Sequence, residues 1–217
     1  MVELSPSILS ADFSNIGNIL KNIKSEKLKM IHLDVMDGVF VPNITFGFKF
    51  IEDIKKITDY FFDVHLMVYE PIRFIEKFKN SGADLITVHL EACKNVNETL
   101  DKINSLNIKS GLAINPDTKI ECIYKYLNKI DFALIMSVNP GFGGQKFIEN
   151  THDKIINLKE FIKKNNLKTK IEVDGGIKTL NVKSVIDDGA EVIVSGSDIF
   201  NNDVNKKIEE YYNIFDI

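Results

Sequence analysis

Two histidines and two aspartates occupy matching places in short apolar stretches of the sequence. His32 and Asp34 lie in HLDVMDG, His65 lies in DVHLMV, and Asp174 lies in VDGG. Residues two apart in a β-strand share a face, so His32 and Asp34 point to the same side. Burying such groups without partners is costly, about 2 to 7 kcal/mol for a neutral polar group alone. A metal ion, a bound substrate or a hydrogen-bond network must therefore accompany them.

Two imidazoles and two carboxylates form a donor set suited to a divalent transition metal. The spacing leaves a floor of hydrogen-bonded polar residues open as a second interpretation, because no HExxH-type signature is present. Asp37, on the opposite face from Asp34 and followed by Gly38, is predicted to stabilise a turn. His89 is predicted to be a hydrogen-bonded histidine at the rim of the site, and His152 to lie on the surface.

Three glycine-rich turns follow late strands, and each precedes a helical pattern. They contain Gly141, Phe142, Gly143 and Gly144, then Gly175 and Gly176, then Gly196 and Ser197. Glycines let backbone N–H groups approach an anion closely, and a helix N-terminus adds a favourable dipole. The same glycines could merely make tight turns, but three such turns at adjacent strand ends favour a phosphorylated ligand. The first turn is also a candidate lid.

Met36, Met67 and Met136 occupy equivalent positions near three strand ends. Methionine ordinarily fills gaps in a core. The alternative is that these thioethers line a site for an electron-rich planar intermediate without competing as strong hydrogen-bond partners. All three are therefore candidate pocket-lining residues.

Eight short β-rich runs must position these residues, with amphipathic segments between them. The runs are Leu4 to Leu9, Met30 to Met36, Phe61 to Met67, Asp84 to Leu90, Lys109 to Ile114, Phe132 to Val138, Lys170 to Val173 and Glu191 to Val194. Dividing 217 residues among eight runs leaves about 27 for each strand-and-helix unit of a (β/α)8 barrel. Apolar periodicity predicts helices, for example over Val96 to Asn107 and Ile120 to Leu127. No linker interrupts the series, so we predict a single TIM-barrel domain over residues 1–217.

A doubly wound open sheet would also alternate strands and helices. The placement of polar residues decides between the two, because they fall at or just beyond the C-terminal ends of nearly all the runs. They are Ser7, Asp34, His65, His89, Asn115, Asn139, Asp174 and Ser197. A (β/α)8 barrel builds its site from all eight strand ends, whereas an open sheet uses a few strands near its switch point. We therefore expect a closed α/β barrel.

The composition disfavours several classes of partner. A net charge of −4 and a pI near 5.6 disfavour binding to nucleic acid or to an anionic membrane. The apolar runs are too short to span a bilayer, and no signal-peptide pattern opens the chain. Cys93 and Cys122 have no CxxC spacing and are expected to be reduced thiols. We expect a soluble, unprocessed, cytoplasmic protein.

Five stretches carry a resemblance that covers the chain nearly from end to end. They are LSPSILSADF from Leu4, HLDVMDGVFVPN from His32, DVHLMV from Asp63, SVNPGFGGQKF from Ser137 and VDGGI from Val173. Together they resemble the ribulose-phosphate 3-epimerase family. The resemblance implies a (β/α)8 barrel that interconverts D-ribulose 5-phosphate and D-xylulose 5-phosphate by inverting carbon 3, a step of the pentose phosphate pathway.

The resemblance also implies roles for individual residues. His32, Asp34, His65 and Asp174 match the metal ligands of the family, and Asp34 and Asp174 also match its acid/base pair. The positions that match substrate contacts and phosphate loops are Ser7, His65, Gly141, Phe142, Gly143, Gly144, Asp174, Gly175, Gly176, Gly196 and Ser197. The implied cofactor is one divalent ion, Zn²⁺ or Fe²⁺, with Mn²⁺ or Co²⁺ as alternatives. The implied partners are a phosphosugar substrate and further copies of the chain in a homo-oligomer.

One departure from the family pattern lies beside the last glycine turn. The family more often has alanines flanking Gly-Ser, whereas Asp198 follows Ser197 here. A carboxylate aimed at the anion would weaken its binding. We therefore expect the Asp198 side chain to turn outward.

The implied reaction needs the groups that these positions supply. Removing the proton on carbon 3, next to the carbonyl, leaves an ene-diolate whose charge a divalent ion can stabilise. Inversion needs a base on one face and an acid on the other, each contributing roughly 10²- to 10⁴-fold. Asp34 and Asp174 come from the second and seventh strands, far enough apart around a ring to flank a substrate.

Three other functions fit the same barrel. The nearest is a 3-epimerase for another ketose phosphate, such as D-allulose 6-phosphate. A phosphosugar decarboxylase or lyase is disfavoured, because related decarboxylases use a lysine-and-aspartate site and the inward position of the third strand carries His65 here. A non-catalytic phosphosugar-binding barrel is disfavoured by the two intact aspartates and the full ligand set.

Overall fold

Eight parallel strands form one sheet in the computed structural model, which describes residues 2–216. The strands are β1 (Glu3–Pro6), β2 (Met30–Met36), β3 (Phe61–Met67), β4 (Leu85–His89), β5 (Lys109–Ile114), β6 (Phe132–Met136), β7 (Lys170–Asp174) and β8 (Val192–Ser195). All eight were predicted from the sequence. Since their carboxyl ends lie at one edge, the polar residues that follow them are gathered there.

The sheet closes into a barrel. Neighbouring strands pair in the order β1-β8-β7-β6-β5-β4-β3-β2, and Glu3 of β1 pairs with Val192 of β8. The remaining seam, between β1 and β2, is joined by a parallel bridge from Ser7 to His32. The predicted (β/α)8 architecture is confirmed, and the open-sheet alternative is excluded.

Helices cover the outside of the strands. They are α1 (Ile16–Lys21), α2 (Phe48–Lys55), α3 (Ile75–Asn80), α4 (Val96–Ser105), α5 (Thr151–Lys164), α6 (Val182–Asp188), α7 (Ser197–Phe200) and α8 (Val204–Phe215). A 3-10 segment, Ile120–Lys129, takes the place of a helix between β5 and β6. Among residues 2–216, no helix has the length and apolar character needed to cross a bilayer.

The strand side chains alternate between two cores. On β2, Ile31, Leu33 and Val35 point outward and join the large core under the helices. Inside the barrel, the first residues of the even strands β2, β4, β6 and β8 form a separate apolar cluster. This layer consists of Met30, Leu85, Phe132 and Val192. Four side chains from alternate strands are the usual layer of such a barrel, and here they close its N-terminal end.

Two segments differ from the sequence-based expectation. The first strand was expected to reach Leu9 but ends at Pro6, and Ile8–Ser10 forms a 3-10 turn whose cap, the Ser7 hydroxyl, accepts a hydrogen bond from the Leu9 N–H. The segment expected to be an α-helix after Ile120 is a 3-10 helix. Three of its four buried residues, Ile120, Ile123 and Tyr126, are three apart, the spacing that aligns side chains along one face of a 3-10 helix.

Candidate active site

The four predicted ligand residues meet inside the barrel near its carboxyl edge. His32 and Asp34 come from β2, His65 from β3, and Asp174 from the last position of β7. One potential ligand atom from each residue lies within 4.8 Å of all the others. His32 and His65 are completely buried, and Asp174 keeps partial contact with solvent. The structure therefore brings together the set that the sequence singled out.

Hydrogen-bond distances show which atoms converge. Asp34 Oδ1 lies 3.2 Å from His32 Nε2 and 3.1 Å from His65 Nδ1, and the two imidazole nitrogens are 3.4 Å apart. The second oxygen of Asp34 accepts a hydrogen bond of 2.6 Å from the Ser7 hydroxyl. One nitrogen of each histidine is thus aimed at the Asp34 carboxylate, and the Ser7 hydroxyl fixes the orientation of that carboxylate.

The chemistry of this donor set fits a divalent cation. Two imidazole nitrogens and two carboxylates match the preferences of zinc and of non-haem iron. Burial and the nearby negative charge of Asp34 together raise the pKa of Asp174 to about 7. Two carboxylates held this closely repel each other, and a cation between them removes that repulsion.

Behind His32 lie two carboxylates that the sequence analysis missed. Asp63 Oδ2 lies 2.6 Å from His32 Nδ1 and accepts a hydrogen bond of 3.2 Å from the Ser5 hydroxyl. Glu172 Oε1 lies 3.7 Å from the same nitrogen. Burial lowers the pKa of His32, but Asp63 and Asp34 raise it well above its usual range, so the metal-free imidazole carries a proton on both nitrogens. Asp63 holds the proton on Nδ1, which leaves Nε2 as the nitrogen that would bind an ion.

The Glu172 carboxyl group, the second of these two, lacks hydrogen-bond partners among the residues that the structure describes. It is fully buried, and neither of its carboxylate oxygens has a hydrogen-bond partner. Burial and the neighbouring charge of Asp63 raise its pKa well above the usual range. A signal for both residues was present in the sequence, because Asp63 and Glu172 each lie two positions before a site residue and so share its inward face.

A cleft opens above the buried ligand atoms, at the carboxyl edge of the barrel. Asp34 and Asp174 reach its surface, whereas His32 and His65 lie beneath it. The predicted pocket residues that line it are Ser7, Met36, Met67, Met136, Gly141, Phe142, Gly143, Gly144, Gly175, Gly176, Gly196 and Ser197. No lysine lines this cleft within residues 2–216.

The glycines of the late turns are also required by close packing. Gly176 has a φ of +65°, and a Cβ there would lie 2.4 Å from the backbone nitrogen of Phe147. At Gly196, a Cβ would lie 2.9 Å from the Ser10 hydroxyl. Gly176 therefore needs glycine for steric reasons, whereas a shift of the Ser10 side chain could relieve the contact at Gly196. An anion-binding role for these turns stays a prediction.

The Gly141–Gly144 turn is tied to its surroundings at several points. The Asn43 amide donates a hydrogen bond of 2.8 Å to the Gly141 carbonyl, and the Gln145 amide donates to the carbonyls of Asn139 and Phe142. The Phe142 side chain remains exposed at the mouth of the cleft. Movement of this turn as a lid stays a prediction.

Asp37 stabilises the loop after β2, as predicted. Its carboxylate accepts hydrogen bonds from the N–H groups of Val39, Phe40 and Tyr69. Burial alone would raise its pKa, but these hydrogen bonds lower it. Asp37 thus joins the loops after β2 and β3 without reaching the cleft.

Two of the remaining candidates are more tightly packed than expected. His152, predicted on the surface, is only about a quarter exposed and pairs with Asp188. The Asp198 carboxylate turns away from the cleft, as predicted, but it is packed under α8 rather than exposed. It accepts hydrogen bonds from the Tyr211 hydroxyl at 3.1 Å and from the Thr179 N–H at 3.2 Å.

Solved structures of other proteins share this barrel. A mutant tryptophan synthase alpha-subunit from Pyrococcus furiosus superposes with a TM-score of 0.72, covering 97% of this chain and 98% of that one at 18% identity. A thiamine phosphate pyrophosphorylase from the same organism superposes with a TM-score of 0.63 at 15% identity, covering 99% of this chain and 96% of that one. These likenesses concern the fold alone.

Sequence comparisons are more specific. The model of the ribulose-phosphate 3 epimerase family matches residues 3–200. The ribulose-phosphate 3-epimerase of Bacillus subtilis is 42% identical over 208 residues, which cover 95% of this chain and 96% of that protein. The chloroplastic ribulose-5-phosphate-3-epimerase of Arabidopsis thaliana is 43% identical over 199 residues, which cover 91% of this chain and 71% of that protein. These matches show that the chain belongs to the ribulose-phosphate 3-epimerase family.

Proposed function

We propose that this epimerase interconverts D-ribulose 5-phosphate and D-xylulose 5-phosphate by moving a proton at carbon 3. The observation that carries the proposal is the convergence of Asp34 and Asp174 with two imidazoles at the base of a glycine-lined cleft. Two carboxylates are what an inversion requires, one to remove a proton and one to return it.

His32, Asp34, His65 and Asp174 would hold one divalent ion, Zn²⁺ or Fe²⁺, with Mn²⁺ or Co²⁺ as alternatives. When bound, such an ion supplies positive charge that stabilises the ene-diolate formed after carbon 3 loses its proton. The ligand types and their close approach support binding of an ion, and they do not choose among these metals.

The surroundings of the two aspartates support opposite roles. Burial would raise the pKa of Asp34, but the charge and the hydrogen bond of His32 beside it lower that pKa well below its usual range. Asp174 has its pKa raised to about 7 by burial and by Asp34. Carboxyl groups with pKa values driven apart are a common arrangement of base and acid. We assign Asp34 to one face of carbon 3 and Asp174 to the other.

The rest of the cleft would orient the substrate. The Ser7 hydroxyl lies beside Asp34, and Met36, Met67 and Met136 give the cleft a soft apolar lining. We place the phosphate at the turns around Gly175, Gly176, Gly196 and Ser197, with Gly141 to Gly144 closing over the sugar. The lack of a cleft lysine within residues 2–216 disfavours the decarboxylase alternative.

The direct test is incubation of the purified protein with D-ribulose 5-phosphate, followed by analysis for D-xylulose 5-phosphate. D-Allulose 6-phosphate serves as the competing substrate, and we expect a higher kcat/KM for the pentose phosphate. Treatment with a chelator should abolish turnover, and Zn²⁺ or Fe²⁺ should restore it. Full activity in a preparation shown by elemental analysis to hold no metal would refute the metal-dependent part. A higher kcat/KM for the hexose phosphate would refute the substrate assignment.

A further inference from the structure

A line of buried hydrogen bonds leads from His65 away from the cleft. His65 Nε2 lies 2.8 Å from His89 Nε2, and His89 Nδ1 lies 3.4 Å from Glu91 Oε2. On its other side, His65 Nδ1 lies 3.1 Å from Asp34 Oδ1. Both imidazoles are completely buried. Each ring therefore has both nitrogens engaged, and Glu91 forms the outer end of the line.

The hydrogen bond between the two rings can be donated by either histidine. Only one proton fits between the two Nε2 atoms. If His65 donates it, His65 Nδ1 carries a lone pair toward Asp34, and His89 must carry its own proton on Nδ1, facing Glu91. If His89 donates it, the proton of a neutral His65 lies on Nδ1, where it blocks a lone pair from reaching the site.

Glu91 selects donation by His65, because its carboxylate accepts hydrogen bonds and has none to give. Its Oε1 accepts a hydrogen bond of 2.9 Å from the Asn115 N–H and another from the Thr118 hydroxyl. Burial opposes ionisation of Glu91, yet the bonds from His89, Thr118 and Asn115 lower its pKa to about 2. The Asn115 N–H and the Thr118 hydroxyl both donate to Oε1, so Oε2 is left to accept a hydrogen bond from His89, and the proton on His89 belongs on Nδ1.

We propose that Glu91 and His89 are positioning residues that hold His65 with its proton on Nε2 and its Nδ1 lone pair facing the ion site. This inference rests on the proposed function, since it concerns a ligand of the proposed ion. His32 has a similar contact with Asp63, so each imidazole of the site is oriented by a hydrogen bond to its nitrogen that faces away from the proposed ion. Outer partners of this kind typically change metal affinity 10- to 100-fold, which sets the size of the expected effect.

Two substitutions at His89 separate positioning from packing. His89→Gln keeps an acceptor where Nε2 was, whereas His89→Leu fills similar space and accepts nothing. The Kd for Zn²⁺ is measured by competition with a chromophoric chelator, and the Tm of each metal-free protein reports the fold. We expect His89→Leu to bind Zn²⁺ about 10- to 100-fold more weakly. His89→Gln should stay much closer to wild type, and both should share a similar Tm.

Nitrogen-15 NMR of the histidines gives a second readout. In the zinc-loaded wild type, we expect the proton of His65 on Nε2 and that of His89 on Nδ1. The opposite protonation of His89, or equal Zn²⁺ affinity in His89→Leu and wild type, overturns the inference. Equal loss in both variants with a lowered Tm indicates a packing role and also overturns it. If wild type binds no Zn²⁺, the metal proposal fails as well. If wild type binds Zn²⁺ and only the variant or NMR result disagrees, this inference fails alone.

Discussion

Inversion at carbon 3 gives Asp34 and Asp174 different tasks, because a proton removed from one face must be replaced on the other. Asp174→Asn should stop epimerisation yet leave Asp34 able to remove and return a proton on its own face. In deuterated water, one of the two epimers should then incorporate deuterium at carbon 3 without inverting. Asp34→Asn should show the opposite preference. NMR of the recovered sugar phosphates measures both outcomes.

The metal content of each aspartate variant serves as the control for this experiment, since both residues are proposed ligands. If both variants retain metal and both exchange the same epimer, the assignment of one carboxylate to each face is wrong. A single base would then have to act on both faces.

The two cysteines differ in reactivity for a reason visible at each side chain. Burial raises the pKa of the Cys93 thiol to about 11, whereas Cys122 is exposed. Only the thiolate is alkylated at a useful rate. At pH 8, iodoacetamide should modify Cys122 and leave Cys93 largely unmodified, and raising the pH toward 11 should increase modification of Cys93. Peptide mass spectrometry of the folded protein measures this. Equal rates at pH 8 would contradict it.

At the scale of elements, the turn after β8 tests the placement of the phosphate. Gly196→Val puts a side chain where a Cβ would already lie 2.9 Å from the Ser10 hydroxyl. It should raise KM for D-ribulose 5-phosphate at least about tenfold, the effect of roughly 1.4 kcal/mol of lost binding. Binding of unphosphorylated D-ribulose should change much less.

Gly47→Val is the matched control, because Gly47 is exposed, and no atom lies within 4 Å of a Cβ built there. Its KM values should resemble those of wild type. Equal losses for the phosphorylated and unphosphorylated sugars in Gly196→Val would indicate general distortion of the turn instead of a lost phosphate contact.

The strands were predictable from sequence because each is an apolar run bounded by turns, and the same patterns placed His32, Asp34, His65 and Asp174 on inward faces. The sequence did not reveal the buried carboxylates that contact the histidines. Whether Asp63 contacts His32 depends on the register between β2 and β3, in which these two residues are directly paired. The contact of Glu91 with His89 is local, but Glu91 lies in the 3-10 turn Leu90–Ala92, where the alternation of a strand no longer tells which way a side chain points. Periodicity can place Asp63 on the inward face of its strand, but its contact with His32 depends on the pairing of two strands that are distant in the sequence.

At the scale of the whole molecule, ion binding should couple stability to pH. The pKa of Asp174 in the metal-free fold, about 7, exceeds the value of about 3.9 in an unfolded chain. Its contribution to stability is therefore present below about pH 4 and is lost as the pH rises through 7. Zn²⁺ acts with the opposite sign, because its ligands must be deprotonated.

The difference in Tm between zinc-loaded and metal-free protein should accordingly grow from pH 5 to pH 8. Binding at 100 times the Kd contributes about 2.7 kcal/mol to the free energy of unfolding. Differential scanning calorimetry at fixed free Zn²⁺ measures the trend. A difference that shrinks as the pH rises would contradict ligation by these carboxylates and imidazoles.

The ladder between β1 and β8 has a consequence for how the protein is made. Because Glu3 pairs with Val192, the first strand of a growing chain has no ladder partner until the last strand has been synthesised. Until then the only β-pairing of this segment is the bridge from Ser7 to His32, and Gly196, which lies beside Ser7 in the closed barrel, has not yet been synthesised. A nascent chain therefore presents an unpaired strand edge throughout translation, the kind of surface that chaperones protect from aggregation. The enzyme acquires its complete cleft only after nearly the whole chain has emerged from the ribosome.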